Sequence, residues 1–135
     1  MNIAVYNEQA DLPIRPVRVK QLVRFVLKEK KVTCTELAIY FVTQKEIAAL
    51  HAQFFNDPTP TDCITFPMDK EFLGEIFVCP QAALTYDPKD PQRETALYII
   101  HGILHLLGYD DQTPKLRAQM QREQNRLLKK WSTSL

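Results

Sequence analysis

Cysteine is scarce and poorly placed for stapling. Cys34, Cys63 and Cys79 are odd in number, widely spaced, and form no C-x-x-C pair. A disulfide framework is therefore excluded, and a reducing compartment, the cytoplasm, is the expected home. No apolar run reaches membrane-spanning length, because the longest is interrupted by two histidines. The first seven residues carry neither a basic n-region nor an apolar h-region, so no signal peptide is expected. Repeats, low-complexity segments and linkers are missing as well. What remains is a chain of 135 residues with 45% hydrophobic and 24% charged side chains, which places it among ordinary globular domains. That length suits one domain, residues 1–135, with a core of its own.

The net charge is only +1, but it is unevenly distributed. Residues 1–31 hold seven Lys/Arg against three acids, residues 111–135 hold six against two, and residues 32–110 hold four against eleven. Two basic ends flank an acidic centre. Such ends suit a polyanion such as RNA, although charge alone favours two solvated helix faces.

Hydrophobic periodicity orders the elements. Residues 2–6 alternate as a short strand, and Pro16 to about Lys31 is an amphipathic helix with Val19, Leu22, Val23, Val26 and Leu27 on one face. Thr35 to Val42 reads as a second strand. Thr43 and Glu46 then match a capping box, with Glu46 reaching back to the N-cap amide of a helix that runs to about Phe55. A stiff loop, Asn56 to Thr61, leads to strands at Asp62–Phe66 and Phe72–Val78, joined by a turn over Met68–Glu71. A short helical piece over Gln81–Tyr86 is weakly marked. Asp90-Pro91 caps a helix continuing to Leu107 that is apolar nearly all round, hence central and buried. Thr113-Pro114 opens a last helix to about Trp131, with Leu116, Met120, Leu127 and Leu128 facing inward. These elements predict an α+β domain, a mixed four-stranded sheet packed with about five helices.

The informative stretch lies on the central helix: His101-Gly102-Ile103-Leu104-His105-Leu106-Leu107-Gly108-Tyr109-Asp110-Asp111. Histidines four residues apart share one helical face, and burying two imidazoles requires partners for both. A metal ion satisfies them together. Gly108 allows the helix to end in a left-handed residue, so that Asp111 can return towards the pair, with Asp110 competing for the third position. Three protein ligands leave an open position, the mark of a catalytic rather than a structural zinc site. The spacing also matches zinc peptidases, but those carry a Glu base directly after the first His, where this chain has Gly102. Glu94, two turns upstream on the same face, is a candidate to hold a ligating histidine in place, with a plain surface acid the favoured reading. Thr65 is a candidate wall of the site, Cys63 and Cys79 are expected as buried apolar residues, and His51 is assigned no role.

These residues resemble the bacterial YbeY family, single-domain metal-dependent endoribonucleases of ribosomal RNA maturation. The family signature H-G-x-L-H-L-x-G-Y-D-H is matched by His101, Gly102, Leu104, His105, Leu106, Gly108, Tyr109 and Asp110. Pro60-Thr61-Asp62-Cys63-Ile64-Thr65-Phe66-Pro67 resembles the family's P-T-D-V-L-S-F-P segment, and Leu73-Gly74-Glu75-Ile76 its L-G-D-I segment. The resemblance implies an α+β fold, action on small-subunit rRNA at its 3′ end and in ribosome quality control, and one zinc ion held by His101, His105 and Asp111. Two departures stand out. Asp111 replaces the family's last histidine, making the centre less positive and more tolerant of harder ions such as Mn²⁺. The stretch His51–Thr59 lacks the family's arginine, with Phe55 near its place, so that RNA contact falls to the basic terminal helices. The expected function is a zinc-dependent endoribonuclease partnered by RNA and the ribosome. The rivals are a zincin-like metallopeptidase and a non-catalytic ribosome assembly factor with a structural metal.

Overall fold

β-branched and aromatic residues concentrate in four strands, β1 (Asn2–Asn7), β2 (Glu36–Phe41), β3 (Cys63–Pro67) and β4 (Phe72–Val78). The helices are α1 (Pro16–Glu29), α2 (Gln44–Phe55), α3 (Pro80–Tyr86), α4 (Pro91–Leu106) and α5 (Pro114–Lys130). The computed structural model describes residues 2–33, 36–69, 71–131 and 135. Cys34, the Thr35 start of the predicted second strand and Lys70 of the predicted turn lie outside these. The strands form one sheet in the order β1-β2-β4-β3. β1 runs parallel to β2 and β2 to β4, while β3 returns antiparallel to β4. The expected mixed α+β sheet with five helices is the observed one.

Caps decide where the helices start. Proline stands at the first turn of α1, α3, α4 and α5, where its missing N–H costs nothing. Asp90 accepts from the Arg93 amide and Thr113 from the Leu116 amide. The capping box of α2 differs from expectation: the Thr43 hydroxyl accepts from the Glu46 amide and donates to the Glu46 carboxylate, so Glu46 grips the side chain rather than the N-cap amide.

Period-two alternation divides β4 between two layers. Gly74, Ile76 and Val78 are buried, while Glu75 and Phe77 face the other side. The main core joins Ile39, Phe41 and Ile76 of the sheet to Leu22 and Val26 of α1, Ile99, Ile100, Ile103 and Leu104 of α4, and Met120 and Leu127 of α5. A smaller cluster, Val42, Ile47, Ile64 and Cys79, seats α2 with Phe66 and Phe77. All five predicted inward positions of α1 are buried. On α5, Met120, Leu127 and Leu128 are buried, but Leu116 is 37% exposed. It sits in the first turn, before the helix has come down onto the core, so its apolar character alone misplaced it. None of the described helices is long and apolar enough to cross a membrane.

Candidate metal centre

α4, which bears both histidines, lies against the sheet with almost no gap. A Cβ on Gly102 would stand 2.8 Å from Ile76 Cγ2 and 3.2 Å from Cys63 Sγ. Glycine is thus required by space, and the position that would hold a zincin base is filled by β4. The flanking residues His101 and His105 emerge on the side facing β3 and α2, both half-buried. They line a cavity of about 340 Å³ with Thr65, Phe55, His51 and Asp111.

The end of α4 then turns the chain back. Gly108 has φ +101°, its amide donates to the His105 carbonyl at 3.0 Å, and the Tyr109 amide to the Leu104 carbonyl at 3.0 Å. This is a Schellman closure, which needs a residue that tolerates positive φ. Asp110 is spent on the loop, its carboxylate accepting from the Gln112 amide at 2.7 Å. Asp111 is the acid that returns, with Oδ2 3.8 Å from His105 Nε2. Lys30 steadies this loop by donating to the Tyr109 hydroxyl at 2.6 Å, with its ammonium also 3.1 Å from Glu123.

The protonation pattern tests whether a cation fits. His101 Nδ1 donates to Gln124 Oε1 at 2.8 Å, which leaves the lone pair on its Nε2. His105 is engaged by the Tyr109 backbone. The two Nε2 atoms then face each other at 3.1 Å. Lone pairs at that distance repel unless a proton or an electrophile lies between them. His105 is held below the usual histidine range by burial and then by His101, with Asp111 opposing, so its neutral, ligating form is favoured. One ligand atom from each of His101, His105 and Asp111 falls within 4.8 Å of the others. Donors at tetrahedral angles around one zinc lie roughly 3.3–3.4 Å apart. The histidine pair nearly meets that spacing, and the half-exposed Asp111 side chain has room to close the remainder. The donor set therefore fits a metal ion.

Other candidates fall elsewhere. Glu94 hydrogen-bonds Tyr98 and takes no part in orienting His101, whose Nδ1 is held by Gln124. Sequence reasoning missed Gln124 because it lies on α5, 23 residues from His101, where no local spacing announces it. Thr65 does line the cavity. Cys63 lines it too and is only partly buried, because it faces the groove, so of the two cysteines expected in the core Cys79 alone is buried. The Cys63 thiol contacts the Tyr98 carbonyl at 3.7 Å, and desolvation pushes both thiols above the usual range. Cys79 should not be alkylated in the native protein at pH 8 but should react on unfolding; rapid native labelling of Cys79, read by peptide mass, would contradict its burial. Replacing Gln124 with leucine should weaken metal affinity by about 10–100-fold with the fold intact, measured by competition with a chromogenic chelator. Unchanged affinity would remove Gln124 from the site.

The family profile described as Endoribonuclease YbeY matches residues 4–132. The chain belongs to the YbeY family. Among its relatives, the Endoribonuclease YbeY of Protochlamydia amoebophila (strain UWE25) is 50% identical over 114 residues, covering 78% of this chain and 76% of the relative. That of Chlamydia pneumoniae is 40% identical over 141 residues, covering 95% of this chain and 89% of the relative. The solution structure of a Thermotoga maritima protein superposes with a TM-score of 0.64 at 26% identity, covering 95% of this chain and 87% of that one.

Proposed function

We propose that this chain is a zinc-dependent endoribonuclease that processes the 3′ end of small-subunit rRNA and serves ribosome quality control in the cytoplasm. Residues 1–135 would act as one metal-binding domain, with His101, His105 and Asp111 holding a single zinc ion. The observation that carries the reading is the facing pair of His101 and His105 Nε2 atoms, with Asp111 beside them, in a groove of a YbeY-family fold. When bound, the ion supplies Lewis acidity and an acidified water for phosphodiester hydrolysis. The protein's own part is to orient. Gln124 fixes the His101 tautomer, the Gly108 turn delivers Asp111, and Gly102 leaves no room for a peptidase base.

Among the described residues, no lysine or arginine lines the groove. RNA affinity must then come from outside it, and the basic faces of α1 and α5 are the source we favour, together with contacts to the ribosome. Part of that charge is spent internally: Arg126 pairs with Glu123 and Glu29, and Lys130 with Glu29. Arg122 and Lys129 are exposed and are the stronger candidates.

The test is metal content by mass spectrometry, followed by cleavage of a single-stranded rRNA fragment before and after chelation. About one zinc per chain and chelator-sensitive cleavage are expected. Bound zinc with no cleavage of RNA would favour a structural metal in an assembly factor. Metal-dependent degradation of a protein substrate instead would favour a peptidase. RNA affinity should also fall linearly on a log scale with salt, by roughly 0.7 per phosphate contact; a flat response would discount the basic helices.

A further inference from the structure

The groove contains one more histidine, and its setting is built. His51, near the end of α2, is half-buried and lines the cavity shared by His101, His105 and Asp111. Its Nδ1 lies 2.8 Å from the Thr59 carbonyl, which can only accept, so Nδ1 carries a hydrogen. Thr59 is in turn held by Asp57, whose Oδ1 accepts from the Thr59 amide at 3.0 Å and its hydroxyl at 2.6 Å. The loop bearing these groups is stiff, with Asn56 left-handed at φ +54° and prolines at 58 and 60. A ring nitrogen oriented by a fixed partner, with a carboxylate behind that partner, is the arrangement of a proton-transfer histidine. The Asp57 carboxyl is held below its ordinary range by the Thr59 hydroxyl and amide, with His51 adding to the effect, so a negative charge stands where an imidazolium would form.

The surroundings narrow the role. Among the described side chains that line the groove, the proposed ligands aside, only His51 can carry a positive charge. Phe55, whose ring centroid is 5.6 Å from that of His51, supplies an apolar wall and no proton. Phosphodiester hydrolysis leaves a ribose oxygen that departs as a poor leaving group unless protonated.

We infer that His51 is the general acid of this site, donating its Nε2 proton to the departing ribose oxygen. In that step a water oxygen bonds to phosphorus, the phosphorus–ribose oxygen bond breaks, and its electron pair takes the proton from His51 Nε2. The attacking water releases one proton to solvent, and the neutral imidazole recovers one from it, so that only water is consumed. The inference rests on the endoribonuclease reading above.

The test compares wild type, His51→Gln and His51→Ala on a single-stranded RNA and on the same RNA with one bridging oxygen, 3′ or 5′, replaced by sulfur. A thiolate leaves without protonation. Both variants should lose about 10²-fold or more on ordinary RNA and lose nothing on one of the two sulfur-bridged substrates, which also identifies the departing atom. Zinc stoichiometry should stay unchanged, and ¹⁵N spectra of the metal-free wild type should show neutral His51 protonated at Nδ1. Equal losses on all substrates, loss of zinc in His51→Gln, or a neutral Nε2–H tautomer would each overturn the assignment. Wild-type protein that cleaves neither kind of RNA refutes the nuclease reading itself, and the inference with it.

Discussion

Replacing His101 or His105 with alanine is expected to reduce bound metal from about one ion per chain to none, with the fold retained. The two rings supply adjacent donors at 3.1 Å, and the remaining pair in either variant would be one imidazole and one carboxylate that is half exposed. A two-donor site on a loop and a helix end holds a divalent ion far less well than three converging donors. Losing the ion removes several kcal/mol of charge stabilisation from the reaction, which at 1.36 kcal/mol per decade is about 10³-fold or more in RNA cleavage. Asp111→Ala should be milder, weakening metal without abolishing it, because Asp111 lies at 3.8 Å while the histidines already converge. Full metal occupancy in both histidine variants would eliminate this site. A low thermal midpoint in the alanine variants would point instead to a scaffolding role for the ion.

Gly102→Val should be the most damaging single change near the site that touches no ligand. A side chain there enters space already held by Ile76, 2.8 Å from the new Cβ, and by Cys63 Sγ at 3.2 Å. Ile76 Cγ2 branches directly from a buried strand residue and cannot swing aside. Overpacking of this kind costs about 1–3 kcal/mol, and the added γ-methyls of valine place the expected value at the upper end, about 3 kcal/mol. Gly102→Ala is the graded control. It gains up to about 1 kcal/mol of helix propensity, which offsets part of the clash, so it should be only mildly destabilised. Urea melts read both. Two variants within about 0.5 kcal/mol of wild type, the range of ordinary surface changes, would show that α4 does not pack this tightly against β4.

Much of this protein was written in local patterns, for reasons that are themselves local. Strand alternation, helix periodicity and the proline and Asx or Thr caps act over a few residues, so β4 and the starts of α4 and α5 could be read from neighbours alone. The histidine pair was legible because helical spacing converts sequence distance directly into space. For the third position spacing left Asp110 and Asp111 in competition, and the family resemblance pointed to Asp111. The Schellman turn at Gly108 sets Asp111 beside His105 and leaves Asp110 on the Gln112 amide. Leu116 was misplaced because periodicity gives a face but not how far along that face the core extends.

Tertiary structure decided whatever depends on two segments far apart in the chain meeting. Gln124 reaches His101 only because α5 packs on α4, and Glu94, nearer in sequence, is turned to Tyr98. Gly102 is bare because β4 lies against it, a fact carried by Ile76 rather than by any residue of its own helix. His51, unremarkable on an amphipathic helix, becomes a groove residue because the loop after α2 folds Thr59 onto it and β3 brings α2 beside the face of α4 that bears His101 and His105. The sequence by itself determined the elements, the family and the two imidazoles, since each follows from contacts within a few turns of chain. The environment of those imidazoles was set only when packing brought groups 23 and more residues away within hydrogen-bonding reach.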